Sequence, residues 1–300
     1  MVTRRTGLVR LVAHGGGVAR TVPALAGCVV GQRGGVAPVS DTAVPPAIAL
    51  HNLTVSYRQH PALHHISGAF AQGSMTAIMG PNGSGKSTLL KSIIGLLPVE
   101  GGKSGGAIRG SIARQHMAYL PQHSELDSSF PIDVRDCVLL GLWGRTGAFG
   151  GTSPAMLKRV ALALHSVGLE GLERRPIGTL SRGQLQRVLF ARLLVQDAQL
   201  ILLDEPFNAV DAKTTEALLG LVQQWHAQKR TVVAVLHDDE QVRQHFPQTL
   251  LLAREQVAWG ATAQVLTEAN LQRARAMAQA WDESAAVCML NTASADKVTS

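Results

Sequence analysis

The stretch "SMTAIMGPNGSGKSTLLK", residues 74–91, decides how this 300-residue chain is read. Its apolar run Met75 to Met79 predicts a buried strand. That strand feeds directly into the pattern G-x-x-x-x-G-K-[ST], with Gly80, Gly85, Lys86 and Ser87 at the diagnostic places. The chemistry requires each residue type. Glycines let successive backbone N–H groups curl around phosphate oxygens, Lys86 neutralises β- and γ-phosphate charge, and Ser87 offers its hydroxyl to Mg²⁺. Thr88 adds a hydroxyl at the same helix start, and Pro81, Asn82, Gly83 and Ser84 complete the loop. Alone, this loop leaves kinases, GTPases and many ATPases open.

A second stretch, "LILLDEP", narrows the choice. Leu200 to Leu203 is a continuous apolar run, the pattern of a central parallel strand buried on both faces. Asp204 ends it where α/β sheets place their ligands, positioned to hold a hydrated Mg²⁺. Glu205 is positioned to polarise an attacking water. A third stretch, "TLSRGQLQR" from Thr179 to Arg187, predicts a helix start. Ser181 caps it, Gly183 keeps the backbone open, and Leu185, Val188 and Leu189 begin an apolar face. Such a start, with free N–H groups and a hydroxyl, is a second anion site in one chain.

Upstream, Ile48, Leu50, Leu53, Val55 and Tyr57 alternate as in a half-buried strand, and "ALHHISGAF" reads as the returning strand. Between the two phosphate-directed stretches lie helical segments. In "SPAMLKRVALALHSVGL", Leu157, Val160, Ala161 and Leu164 predict one apolar face.

Bulk properties exclude several classes. With 46% hydrophobic and 16% charged residues the chain is an ordinary globular protein, and it has no run of 18 apolar residues to span a membrane. Cys28, Cys137 and Cys288 form no CxxC pair, which argues against a disulfide framework or structural zinc site and suits a reducing compartment. Five arginines and one aspartate give residues 1–45 a charge of +4 out of a total of +7. The body is therefore nearly neutral, and no nucleic acid partner is expected. The "ALAGC" at Ala24 to Cys28 imitates an export signal, but "HGGG" and Arg20 interrupt its apolar stretch. His60, His64, His65, His116 and His123 carry no metal-ligand spacing.

Together these motifs resemble the nucleotide-binding subunits of ABC transporters. The loop at residues 80–88 resembles the Walker A motif, Leu200 to Glu205 the Walker B, and "LSRGQ" the signature usually written LSGGQ, with Arg182 replacing a glycine. Gln122 in "AYLPQ" is similar to the Q-loop, Asn208 to Asp211 to the D-loop, His237 to the switch histidine, and Tyr57 to the aromatic that stacks on adenine. The resemblance implies an α/β P-loop NTPase (RecA-like) core with a mostly parallel sheet, an N-terminal antiparallel β subdomain and an inserted α-helical subdomain. It implies ATP and Mg²⁺ as cofactors, with Glu205, His237 and Lys86 catalytic and Ser87, Gln122 and Asp204 around the metal. It also implies a homodimer that sandwiches ATP, in which Ser181, Gly183 and Gln184 meet the nucleotide of the other copy. The implied organisation is a tail or over-extended start over 1–46, an ATPase domain over 47–265 with its helical part at about 125–185, and a C-terminal helix and flexible tail over 266–300.

The single cassette without a fused span implies a separate subunit, peripheral at the cytoplasmic face of the inner membrane. Its implied partners are integral membrane permease subunits and, indirectly, an extracytoplasmic substrate-binding protein. "SELDSSFPIDVRDCVLLGLWGR" and "VLTEANLQRARAMAQAW" are similar to the subfamily that imports zinc, manganese or chelated iron, with zinc ahead of manganese. The alternatives are an importer ATPase for another cargo and a soluble nucleotide-dependent assembly or nucleic-acid factor.

Overall fold

The structure, a computed structural model, describes residues 46–57, 60–99, 106–122, 130–146, 151–208 and 210–280, without the side chains of Tyr57, His60, Arg145 and Thr146. Of the tail expected over 1–46 only Pro46 is described, and it begins the first strand; residues 281–300 of the expected C-terminal helix and tail, and His123, lie outside the described residues. Two sheets carry the fold. In the first, β1 (Pro46–Tyr57) lies between β2 (His60–Ala71) and β4 (Ala107–Gly110), and both pairings are antiparallel. The alternation in β1 skips from Leu50 to Leu53 because the register slips there, with Asn52 at φ 47°. Asparagine tolerates that left-handed conformation, and the slip returns Leu53 and Val55 to the buried face.

The second sheet has the order β5 (Met117–Leu120), β6 (Leu200–Asp204), β7 (Thr231–Val235), β3 (Met75–Met79), β8 (Gln248–Ala253), β9 (Glu255–Ala261). Only the β8–β9 pairing is antiparallel among these. Strands β3, β6 and β7 are buried at every residue, as a sheet covered on both faces requires. Their side chains alternate between two apolar layers. Ile201, Leu203, Val232 and Ala234 join one, and Leu200, Leu202, Val233 and Val235 join the other.

Helices fill the first layer. These are α2 (Val134–Leu139), α4 (Pro154–Ser166), α5 (Arg182–Gln196) and α6 (Ala212–Ala227), with Ala274 of α9 (Glu268–Ala280). The second layer holds Leu89, Leu90 and Ile93 of α1 (Lys86–Ile94), with the inner face of β1 and β2. Shorter α-helices among the described residues are α3 (Trp143–Thr146), α7 (Asp239–His245) and α8 (Thr262–Val265).

Ser153 caps α4 by accepting from the Met156 N–H, with Pro154 in the first turn. Its buried face differs from the expected one. Val160 and Leu164 are buried, but Ala163 and Val167 join them, while Leu157 is 40% exposed and Ala161 is exposed. The helix packs on α2 and α5. Apolar spacing gave the helix its stripe; the neighbours chose the side.

Candidate active site

The ends of the parallel strands assemble the site. In the register of β5, β6 and β7, Leu120 lies opposite Leu203 and Asp204 opposite Val235. Gln122 follows β5 by two residues, Glu205 follows β6 by one, and His237 follows β7 by two. All three therefore leave the sheet at its carboxyl edge, beside the loop that follows β3.

That loop is shaped by its glycines. Gly80 has φ 148°, and a Cβ there would stand 2.0 Å from the Leu252 carbonyl oxygen. Gly85 has φ 90° at the N-cap of α1, and its Cβ would stand 2.4 Å from the Ala62 carbonyl oxygen. Either substitution would push the loop off β8 or β2. Inside the loop the Ser84 hydroxyl is buried with no hydrogen-bond partner. Lys86 Nζ donates to the Gly80 and Pro81 carbonyls, each at 2.9 Å. Burial pushes the Lys86 ammonium below its ordinary pKa, opposed by the negative charges of Glu205 and Asp204. A buried cation resting on its own loop's carbonyls, beside an orphaned hydroxyl, fits a phosphate-binding cradle.

The acid pair faces this cradle. Ser87 Oγ donates to Asp204 Oδ1 at 2.9 Å, across 117 residues of chain, and Tyr119 Oη donates to Asp204 Oδ2 at 3.3 Å. Asp204 is 1% exposed. A hydroxyl and a carboxylate in contact form a hard-oxygen pair of the kind Mg²⁺ accepts.

Glu205 is the hub. Its Oε2 accepts from Gln122 Nε2 at 2.8 Å and from Asn208 Nδ2 at 3.1 Å, and its Oε1 lies 2.6 Å from His237 Nε2. The backbone there has φ 50°, a left-handed conformation that a glutamate adopts only when its surroundings impose it. Burial raises the carboxyl's pKa, but the hydrogen bond and charge of His237, with Asn208 and Gln122, hold it below the ordinary value. A cavity of about 230 Å³ opens beside it, lined in part by Glu205, Asn208, Thr215, His237 and Gln241.

The structure thus brings Gln122, Glu205 and His237 into one network, and Ser87 onto Asp204. It does not bring Ser181 there. Ser181 caps α5 and accepts from the Gln184 N–H at 3.2 Å, while the Gln184 side chain accepts from the Ser181 N–H at 3.0 Å. This reciprocal capping box uses both residues within α5, and no hydrogen bond joins them to Glu205 among the described residues. Ser181 and Arg182 are exposed, and a Cβ on Gly183 would stand 3.9 Å from Asp211 Oδ2. Tyr57 ends β1, and its side chain lies outside the described residues. Asn82, Gly83 and Thr88 hold their expected places in the loop and the first turn of α1, Thr88 being buried.

Two site residues escaped sequence reasoning, Tyr119 on Asp204 and Gln186, whose Nε2 donates to the Pro206 carbonyl at 2.6 Å, while Asn208, expected only as the start of the D-loop, proves to be a partner of Glu205. Asn208 stands three residues after Glu205, and its N–H closes a turn on the Glu205 carbonyl at 3.2 Å. That spacing was a usable signal; Gln186 and Tyr119 gave none. Among the described histidines, His64 pairs with Glu255, 191 residues on, and His65 with Asn52. Among the described residues no group of three or more His, Cys, Asp or Glu could hold a metal ion.

Sheet, loop and acid pair define a P-loop nucleotide hydrolase. Known proteins agree. The ABC transporter family profile matches residues 63–208. The zinc transport system ATP-binding protein TroB of Treponema pallidum is 41% identical over 240 residues, covering 80% of this chain and 90% of that protein. The manganese transport system ATP-binding protein MntB of Listeria monocytogenes is 39% identical over 224 residues, covering 74% and 93%. Among solved structures, an ABC transporter in an inward-facing conformation, provisionally assigned to the metal-chelate type, superposes with a TM-score of 0.68. It is 29% identical, with 77% of this chain and 90% of that one covered. The chain belongs to the ABC transporter family, as an ATP-binding protein with ATP hydrolase activity. No helix among the described residues is long and apolar enough to cross a membrane.

Proposed function

We propose that this protein is the peripheral ATPase subunit of an importer for a divalent metal ion, zinc ahead of manganese, working as a head-to-tail dimer. The observation that carries the hydrolytic part is the Glu205 carboxylate, held by Gln122, Asn208 and His237 beside the phosphate loop. The cargo rests on relatives named for zinc and for manganese transport. A permease in the membrane and an extracytoplasmic substrate-binding protein complete the proposed system.

In this reading Lys86 leaves the Gly80 and Pro81 carbonyls and donates to the β- and γ-phosphates of ATP. Ser87 and Asp204, with Gln122 nearby, would hold Mg²⁺. The cation, when bound, neutralises phosphate charge. Glu205 orients the water that attacks the γ-phosphorus, the bond to the bridging oxygen breaks, and ADP leaves with phosphate. His237 holds Glu205 in place from the next strand. Ser181, exposed and without a hydrogen bond to Glu205, and the Gly183 backbone approach the ATP held by the second copy.

The test is uptake of radioactive zinc and manganese by cells carrying the intact chain or Lys86→Ala, each with the native permease. Uptake of one metal lost in the variant identifies cargo and energy source together. Unchanged uptake of both metals overturns the metal reading.

A further inference from the structure

Helix α5 does more than present Ser181. One turn into it, Gln186 is 3% exposed, and its amide donates to the Pro206 carbonyl at 2.6 Å, a buried bond across 20 residues of chain. Pro206 directly follows Glu205, whose φ of 50° needs outside support. The turn is closed at its other end by Asn208, through both its N–H and its side chain. A second contact from the same helix flanks it: the Phe190 ring stacks on Phe207 at 6.5 Å, and on Trp225 of α6 at 5.9 Å. The turn bearing Glu205 is therefore fastened to α5 by one amide and one ring.

Proline contributes no N–H of its own, so the 206 carbonyl is the main-chain polar group of that residue available for a fastening. The sequence places a buried amide there, which is costly unless its hydrogen bond matters.

We propose that Gln186 is a positioning residue for hydrolysis: it fixes Glu205 through the Pro206 carbonyl and ties the catalytic turn to the helix that Ser181 begins. The proposal rests on the reading of Glu205 as the group that orients water. Movement of α5, whose exposed end is Ser181, is then felt at Glu205 of the same chain through one bond rather than through the sheet.

The test compares Gln186→Met, Glu205→Gln and the double variant in steady-state and single-turnover ATP hydrolysis, with the full chain and its permease. Gln186→Met keeps the length and removes the donor. Its kcat is expected to fall about tenfold to a hundredfold while KM for ATP stays within about twofold, since a displaced group near the reacting atoms loses rate rather than affinity. In the double variant the Gln186→Met step should cost little further rate, because its effect passes through Glu205. If Gln186→Met does not fold, judged by circular dichroism, Gln186→Asn leaves the amide one methylene short and is read in the same way. An unchanged kcat, a loss expressed in KM, or a full multiplicative loss in the double variant overturns the proposal. Hydrolysis unaffected by Glu205→Gln overturns the reading of Glu205 instead, a separate result.

Discussion

Two polar regions of this chain, the loop after β3 and the start of α5, are built in opposite ways. Around the loop after β3, polar groups from five separate stretches converge: Lys86 and Ser87, Tyr119 and Gln122, Asp204 and Glu205, Asn208, and His237. At the start of α5, Ser181 and Gln184 satisfy each other, Ser181 exposed and Gln184 half-buried. The first is a site that one chain assembles. The second is a capped, exposed helix start. The loop is satisfied within one chain and the start of α5 is exposed, the arrangement that the proposed head-to-tail dimer requires.

That contrast can be broken most severely at the loop. Lys86→Ala should lower ATP affinity at least about a hundredfold, since it removes the buried cation of the loop; titration calorimetry measures it, and unchanged affinity refutes the phosphate assignment. Next, Glu205→Gln should slow hydrolysis by about a thousandfold while ATP still binds. Sedimentation with Mg-ATP should then show a dimer, and a monomer would remove the main support for the sandwich. Ser181→Ala sharpens the comparison from the other side. It should cost about 1 kcal/mol of folding stability through the lost cap and slow hydrolysis about tenfold, yet leave ATP affinity of the single chain intact.

The smallest effect lies at Asp211, which caps α6 close to Gly183. The Thr214 hydroxyl and backbone N–H hold its carboxyl below the ordinary pKa, against a slight opposing effect of burial. A depressed carboxyl stabilises the fold above its ordinary pKa and loses that contribution as pH falls through the lowered value. Thermal melts of Asp211→Asn should therefore lie below the parent at neutral pH and converge with it in acid. A constant gap across pH would assign the effect to shape rather than charge.

Much of the fold was legible because its signals are local. The Met75–Met79 run, the glycines that follow it, and Leu200 to Glu205 lie within short windows and carry their own steric and electrostatic reasons. The slip at Asn52 was half visible, since the apolar alternation skips one place there. The face of α4 was less so. Leu157 and Ala161 fit a helical stripe as well as Ala163 and Val167 do, and only the positions of α2 and α5 separate them. At the site, Gln122, Glu205 and His237 were individually recognisable, but nothing in their spacing says that two of them bond to one carboxylate.

By itself, then, the sequence determined that this chain cradles phosphate, that an acid pair ends a buried parallel strand, and that a capped helix start stands apart from both. Those features depend on backbone freedom, periodicity and charge over a few residues. Only the tertiary structure decided that Glu205 is the hub of Gln122, Asn208 and His237, that Tyr119 reaches Asp204, and that Gln186 fastens the catalytic turn. Such contacts join groups up to 117 residues apart in the chain, as Ser87 and Asp204 are. They exist because parallel strands in fixed register deliver their ends to one edge, and register is a property of the packed sheet, not of any segment within it.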